Sequence, residues 1–185
     1  MKLLLAITGA SGAIYAKQFI DAVTFQNDVT LSVVASPNAL RIFKEELGLD
    51  LKSYFVGLHE PKNFDVPYVS GSAKMDAMVV MPCSAGTLGR IAHGVSDDAI
   101  TRAADVFLKE KRKLILVPRE TPLNLIQLRN LVTLAEAGTT ILPAMPSFYS
   151  GQKTLEDTTY TVVARVLDHL GLEAPKMIRW KQEVI

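Results

Sequence analysis

Five short apolar runs punctuate the chain, and longer amphipathic stretches separate them. The runs are Lys2–Thr8 (KLLLAIT), Val29–Ala35 (VTLSVVA), Ala77–Met81 (AMVVM), Lys113–Val117 (KLILV) and Thr139–Leu142. Apolar runs of this length without alternation suit strands buried on both faces of a parallel sheet. The stretches between them read as helices. Ile14–Phe25 presents Ile14, Phe19, Ile20 and Val23 as an inner face. Ser36-Pro37-Asn38 opens a helix over Ala39–Leu47, with Pro37 near its first position. A third helix starts in Pro82–Thr87 and runs to about Ala92, and Asp97–Lys111 is a fourth. Thr121 is the expected cap, and Pro122 the opening residue, of a helix that ends at Gly138. Thr154-Leu155-Glu156-Asp157 resembles a capping box before a last helix ending at Gly171.

Strands alternating with helices predict an α/β fold. The expected form is a single-domain, Rossmann-like or flavodoxin-like, mostly parallel sheet with helices on both faces. The domain spans residues 1–171, and 172–185 form a tail contributing to a site or an interface. Gly48–Met75, with Pro61 and Pro67, breaks the rhythm and predicts an irregular excursion with short strands near Phe64–Val69. The chain shows no internal repeat and no low-complexity tract.

Composition narrows the function. Among 185 residues, 49% are hydrophobic and 21% charged, which excludes a disordered chain. A net charge of +1 provides no field for nucleic acid or an acidic membrane. No run approaches the ~20 apolar residues of a membrane span, and Leu3–Ile7 is too short for a secretory signal. One cysteine and three scattered histidines give no disulfide framework and no zinc pattern. The expectation is a cytoplasmic protein without a metal or a nucleic-acid partner.

In open parallel sheets, ligands bind beyond the carboxyl ends of the strands. The unusual loops all fall at that edge: Gly9–Ala13, Ser36–Asn38, Pro82–Thr87, Pro118–Pro122 and Ala144–Gly151. Gly9-Ala10-Ser11-Gly12 is a strand–turn–helix element whose small residues suit either an anion cradle or a tight turn without a ligand. It is neither GxGxxG nor a Walker loop. Ser84-Ala85-Gly86-Thr87 offers two hydroxyls and a glycine at another helix start. Ser84 alone reads as an N-cap, and the tetrad as a second phosphate cradle. Arg119-Glu120 faces the crevice, and reads as functional rather than as a solvated ion pair. Cys83 has no activating partner in sequence and reads as small packing near a ligand. Asp97-Asp98 lacks the DDxxD spacing of metal-bound diphosphate sites and reads as first-turn acids.

With these residues in place, the chain resembles the UbiX flavin prenyltransferases, flavoproteins formerly described as aromatic-acid decarboxylases. The resemblance runs from about Lys2 to Trp180. It rests on Thr8–Tyr15 (TGASGAIY), Pro82–Leu88 (PCSAGTL), Arg102–Val106 (RAADV), Leu116–Pro122 (LVPRETP) and Leu142–Tyr149 (LPAMPSFY). Ala16 departs from the family's usual glycine, and Gly48–Met75 matches poorly.

The resemblance implies a metal-independent transfer of a dimethylallyl group from dimethylallyl monophosphate to N5 and then C6 of reduced FMN. The product, prenylated FMN, serves UbiD-type decarboxylases. It implies FMN contacts at Gly9, Ala10, Ser11, Ser36, Ser84, Ala85, Gly86, Thr87 and Arg119. It places the prenyl phosphate on Arg102, Lys109, Tyr149 and Arg165, with Trp180 near the prenyl chain. Glu46 (or its neighbour Glu45) and Glu120 match carboxylates near the reacting centre, so the implied catalytic set is Glu46, Glu120, Tyr149, Lys109, Arg102 and Ser11. It further implies a homo-oligomer, a dodecamer, with sites shared among chains. The competing readings are an FMN carrier module, which needs only one phosphate site, and a cysteine-type or aromatic-acid decarboxylase of the same fold. The cysteine type needs a Pro-x-Met-Asn motif, which Pro82-Cys83-Ser84-Ala85 does not supply.

Overall fold

A computed structural model describes residues 1–175, 177, 179 and 180; the rest of the 172–185 tail lies outside the described residues. Five strands form one parallel sheet in the order β2-β1-β3-β4-β5. They are β1 (Lys2–Ile7), β2 (Thr30–Ala35), β3 (Ala77–Cys83), β4 (Lys113–Pro118) and β5 (Thr140–Ile141). Among the described residues the helices are α1 (Ala13–Thr24), α2 (Pro37–Leu47), α3 (Leu51–Tyr54), α4 (Ala85–Ala92), α5 (Ala99–Lys109), α6 (Leu125–Glu136) and α7 (Leu155–Leu170). The five strands expected from the apolar runs are all present.

Side-chain alternation along each strand divides the core in two. Leu3, Leu5, Ile7, Val79 and Val117 face α1, α2 and α7, where they meet Phe19, Phe43 and Val163. Leu4, Ala6, Met78, Val80 and Leu116 face α4 and α5, where they meet Leu88, Ile91 and Phe107. Each such large side chain contributes ~1.5–3 kcal/mol on burial, so both sheet faces must stay covered.

Two local expectations are corrected. The 48–75 excursion holds α3 and a 3-10 turn at Pro67–Val69, with no strand at Phe64–Val69. Pro67 lacks the N–H a ladder would need. Only His59 pairs there, bridging Val34 on the edge of β2, while its Nδ1 meets the hydroxyl of fully buried Tyr68 at 2.9 Å. Nor does Thr121 cap α6. Asn124 does, accepting from the Gln127 N–H at 2.9 Å while Gln127 accepts from the Asn124 N–H at 2.9 Å. That two-way box outcompetes a single cap further upstream.

Strand order reverses between β1 and β3, so the chain leaves the two carboxyl ends in diverging directions and opens a crevice there. Thr8 closes the base of that crevice. Its hydroxyl donates to the Pro82 carbonyl at 2.8 Å and accepts from the Ser84 N–H at 2.8 Å. Thr8→Val keeps the shape but leaves the buried-side Ser84 N–H without its acceptor. The expected cost is ~1–3 kcal/mol in urea unfolding; an unchanged midpoint would show that the bond is dispensable.

Candidate functional site

The first loop after β1 is steric before it is chemical. A Cβ on Gly9 would lie 2.8 Å from the Asn38 Cβ, because this loop packs on the start of α2. Gly12 adopts φ +111°, a left-handed conformation, and gives α1 no side-chain cap. The cap comes from elsewhere. The Glu46 carboxylate, on α2, accepts from the Gly12 N–H at 2.9 Å and the Ala13 N–H at 2.8 Å. The α1 N-terminus therefore already holds an anion, and these two amides are not a phosphate cradle. Glu45 is instead paired with Arg41 at 2.8 Å, so of the two neighbouring acids Glu46 is the one at the crevice. Ser11 is exposed beside it, and Ser36 caps α2 through the Ala39 N–H.

The second loop, after β3, is open where the first is closed. Ser84 caps α4, accepting from the Thr87 N–H at 3.3 Å and donating to the Thr87 hydroxyl at 3.0 Å. Among the described residues no acceptor meets the Ala85 and Gly86 N–H groups, the first two of the helix. A Cβ on Gly86 would meet nothing within 4 Å. Its backbone is not left-handed either, so nothing in the chain itself demands glycine there. Arg90 braces this loop from the far side. It reaches Thr87 Oγ1 at 3.4 Å while holding Asp97 at 2.6 Å and Asp98 at 2.8 Å. Asp98 in turn caps α5 through the Thr101 N–H. The sequence reading missed this bracing, as it missed Thr8, because both depend on contacts between separate elements.

Arg119 and Glu120 are exposed at the end of β4, and neither enters an ion pair among those of the described residues. The Arg119 backbone N–H donates to the Cys83 carbonyl at 3.2 Å, which fixes the guanidinium's root beside the α4 loop. Its charge also partly offsets the burial that raises the Tyr15 hydroxyl above its ordinary range. Burial pushes the Cys83 thiol up to about 12, so it is a neutral packing group and not a nucleophile.

The remaining cations do not converge on this crevice. Arg102 donates from Nε to the Val69 carbonyl at 3.2 Å and from Nη1 to Asp105 at 2.9 Å. Lys109 ends α5, pairs with Glu110 at 2.5 Å, and lies against Gly71 just before β4 begins. That is the amino edge of the sheet, ~20 Å from the strand carboxyl ends for strands of this length. Arg165 sits low on α7, whose last turn touches the start of β4 through a Lys113 bond to the His169 carbonyl at 2.5 Å. Tyr149 belongs to the loop after β5, but that loop folds back along α7, where the Ser147 N–H donates to Thr161 at 3.1 Å. Trp180 meets Tyr149 edge-on, with ring centroids 5.1 Å apart. Tyr149, Arg165 and Trp180 thus share one flank of α7. Lys109 stands apart at the amino edge, and the flavin-type loops stand at the carboxyl edge.

A family model described as Flavoprotein matches residues 1–168. The chain is 43% identical, over 97% of its length and 98% of the relative's, to the flavin prenyltransferase UbiX of Methanocaldococcus jannaschii. Its structure superposes with a TM-score of 0.95 on a dodecameric FMN-dependent UbiX-like decarboxylase from Escherichia coli O157:H7, at 40% identity and covering 98% and 100% of the two chains. A TM-score of 0.94 relates it to AnUbiX (PadA1) in complex with FMN and dimethylallyl pyrophosphate, at 37% identity and 98% coverage of each.

Gly86 separates fold from binding. Gly86→Ala should leave the apo protein as stable or stabilise it by ~0.5–1 kcal/mol, since alanine suits a helix better. The added methyl enters open space in the first turn of α4, beside its free N–H groups. FMN titration of the variant should show affinity at least ~10-fold weaker; equal affinity would move the phosphate away from α4.

Proposed function

We infer the reaction from family membership: the chain belongs to the flavoprotein family and, within it, to the flavin prenyltransferases. It joins a dimethylallyl group from dimethylallyl monophosphate to reduced FMN, giving prenylated FMN. The observation that carries this reading is the near full-length likeness to flavin prenyltransferases, 43% identity over 97% of the chain, and the open α4 N-terminus and the cations on α5 and α7 are consistent with one phosphate site for each reactant. A carrier needs only the first.

The residues at the carboxyl edge fit a flavin phosphate. The Ala85 and Gly86 N–H groups point out of the α4 N-terminus, the space a Gly86 Cβ would take is open, and exposed Arg119 lies alongside. Gly9, Ala10, Ser11, Ser36, Ser84 and Thr87 complete the walls. Reduced FMN supplies the nucleophilic N5 and C6 positions.

On the donor side, breaking the allylic C–O bond leaves negative charge on phosphate and positive charge on carbon. Lys109, Arg102 and Arg165 stabilise the first, and the Tyr149 hydroxyl donates to a phosphate oxygen. Arg165 keeps its bond to the mostly buried Asp168, while Arg102 and Lys109 pair with the nearby Asp105 and Glu110 at partly exposed positions. Such pairs are worth ~0–1 kcal/mol, so a phosphate dianion displaces them readily. The Trp180 ring faces the allyl cation. Glu120 accepts the proton lost as the ring rearomatises, and Glu46 holds its negative charge at the α1 N-terminus beside the crevice.

Because Lys109 and Arg165 lie far from the flavin loops of their own chain, the site is completed by neighbouring copies. The α6 face supports such assembly. Leu125, Ile126 and Val132 are 60%, 68% and 57% exposed, an apolar patch that a lone soluble chain seldom displays. A dodecamer like that of the E. coli relative is the proposed form, and the cytoplasm its place. No helix among the described residues is long and apolar enough to cross a membrane. The product passes to a UbiD-type decarboxylase.

Anaerobic incubation with reduced FMN and dimethylallyl monophosphate, followed by mass spectrometry of the released flavin, tests the reaction. A gain of one five-carbon unit is expected; unmodified FMN would favour the carrier. Ile126→Glu should split the assembly in light scattering and lower transfer at least ~100-fold. Full activity in a monomer would refute shared sites.

A further inference from the structure

Asp168 draws together three of the residues assigned to the prenyl donor, although sequence reading gave it no role. It is 16% exposed and lies one turn beyond Arg165 on α7. Its Oδ2 accepts from Arg165 Nη1 at 2.9 Å and from Arg179 Nη1 at 3.0 Å, while its Oδ1 accepts from Arg179 Nη2 at 2.7 Å. The Arg179 pair is bidentate, the geometry that most constrains both partners. The next residue, Trp180, meets the Tyr149 ring edge-on. Upstream, Leu172 and Ala174 pack against the core and the Glu173 carbonyl accepts from Gln26 Nε2 at 3.3 Å. The tail is therefore fixed to the body at 172–174 and again at Arg179.

We propose that Asp168 and Arg179 form a positioning clamp that sets Arg165 and seats Trp180 against Tyr149, so that the donor-binding flank of α7 is built before the prenyl phosphate arrives. This rests on the transferase reading above. Asp168 takes one N–H of Arg165, whose side chain stays 53% exposed, so the long side chain loses less freedom when phosphate binds. The hydrogen bonds of the Arg179 guanidinium among the described residues go to Asp168, and its charge also acts on Tyr149. Arg179 acts through the chain it anchors.

Trp180 is the sole tryptophan, so its fluorescence reports the clamp without a label. Acrylamide quenching of the apo protein and steady-state kinetics are measured for wild type, Asp168→Asn, Arg179→Ala and Arg179→Lys. In Asp168→Asn and Arg179→Ala the quenching constant should at least double. KM for dimethylallyl monophosphate should rise ~10-fold and kcat should fall ~10-fold, with FMN affinity unchanged. Arg179→Lys should recover part of both effects. Quenching unchanged in both variants overturns the clamp. Doubled quenching with an unchanged KM overturns its positioning role. Arg179 is exposed, so Arg179→Ala keeps the test intact if Asp168→Asn does not fold. A wild type that transfers no prenyl group refutes the reaction, while the quenching arm still decides whether the clamp exists.

Discussion

The hydroxyl of Thr8 binds the carboxyl ends of β1 and β3 together, and the arrangement of the crevice follows from that contact. A parallel sheet covered on both faces has to release its strands at one edge, where ladder partners run out. At the point where strand order reverses, the segments that follow β1 and β3 leave in opposite directions. Thr8 bridges them with one donated and one accepted hydrogen bond, both 2.8 Å long. The accepted bond fixes the Ser84 backbone, Ser84 caps α4, and the cap sets the direction in which the Ala85 and Gly86 N–H groups point. Arg90 holds the same turn from behind through Thr87, with Asp97 and Asp98 restraining its other side. The loop that opens α4 is thus held by contacts from the ends of β1 and β3 and from the start of α5.

The two helix N-termini at the crevice have been given opposite electrostatic fates. Glu46 satisfies α1 from within the chain, while α4 keeps two N–H groups without a partner among the described residues. An anion at the crevice would therefore be favoured at the α4 end and disfavoured at the α1 end, where a carboxylate already sits.

Much of the frame was legible because it is written locally. Runs such as Leu3–Ile7 and Lys113–Val117 declare two-sided burial by lacking alternation, and Ser36, Ser84 and Thr154 declare caps by spacing. What could not be read depends on distant partners. Glu46 meets Gly12 across 34 positions and Thr8 meets Ser84 across 76. The 48–75 segment was obscure for a related reason: Tyr68 is wholly buried with its hydroxyl on His59, which makes it a plug without any period. In α6 the local code was present but doubled, and the reciprocal Asn124–Gln127 pair prevailed over Thr121. The candidate residues themselves could be nominated by family likeness. Their separation into two edges and one flank could not, since it is a property of topology.

That separation argues for assembly as a chemical necessity and not as an ornament. A 185-residue chain with a five-stranded parallel sheet has one carboxyl edge, and the loops there are engaged in shaping its crevice. A second, phosphate-binding wall facing that crevice would require further elements over the same edge. Under the proposed assembly, a neighbouring copy would supply that wall from residues such as Lys109 on the opposite edge. Packing copies together also removes water from between the two reactants, which strengthens every charge–charge contact made there. The carboxylate partners of Arg102 and Lys109 keep these cations compensated in the isolated chain, at partly exposed positions where such pairs are weak. Under this logic the apolar α6 face and the scattered cations are one design feature, because neither makes sense for a chain that works alone.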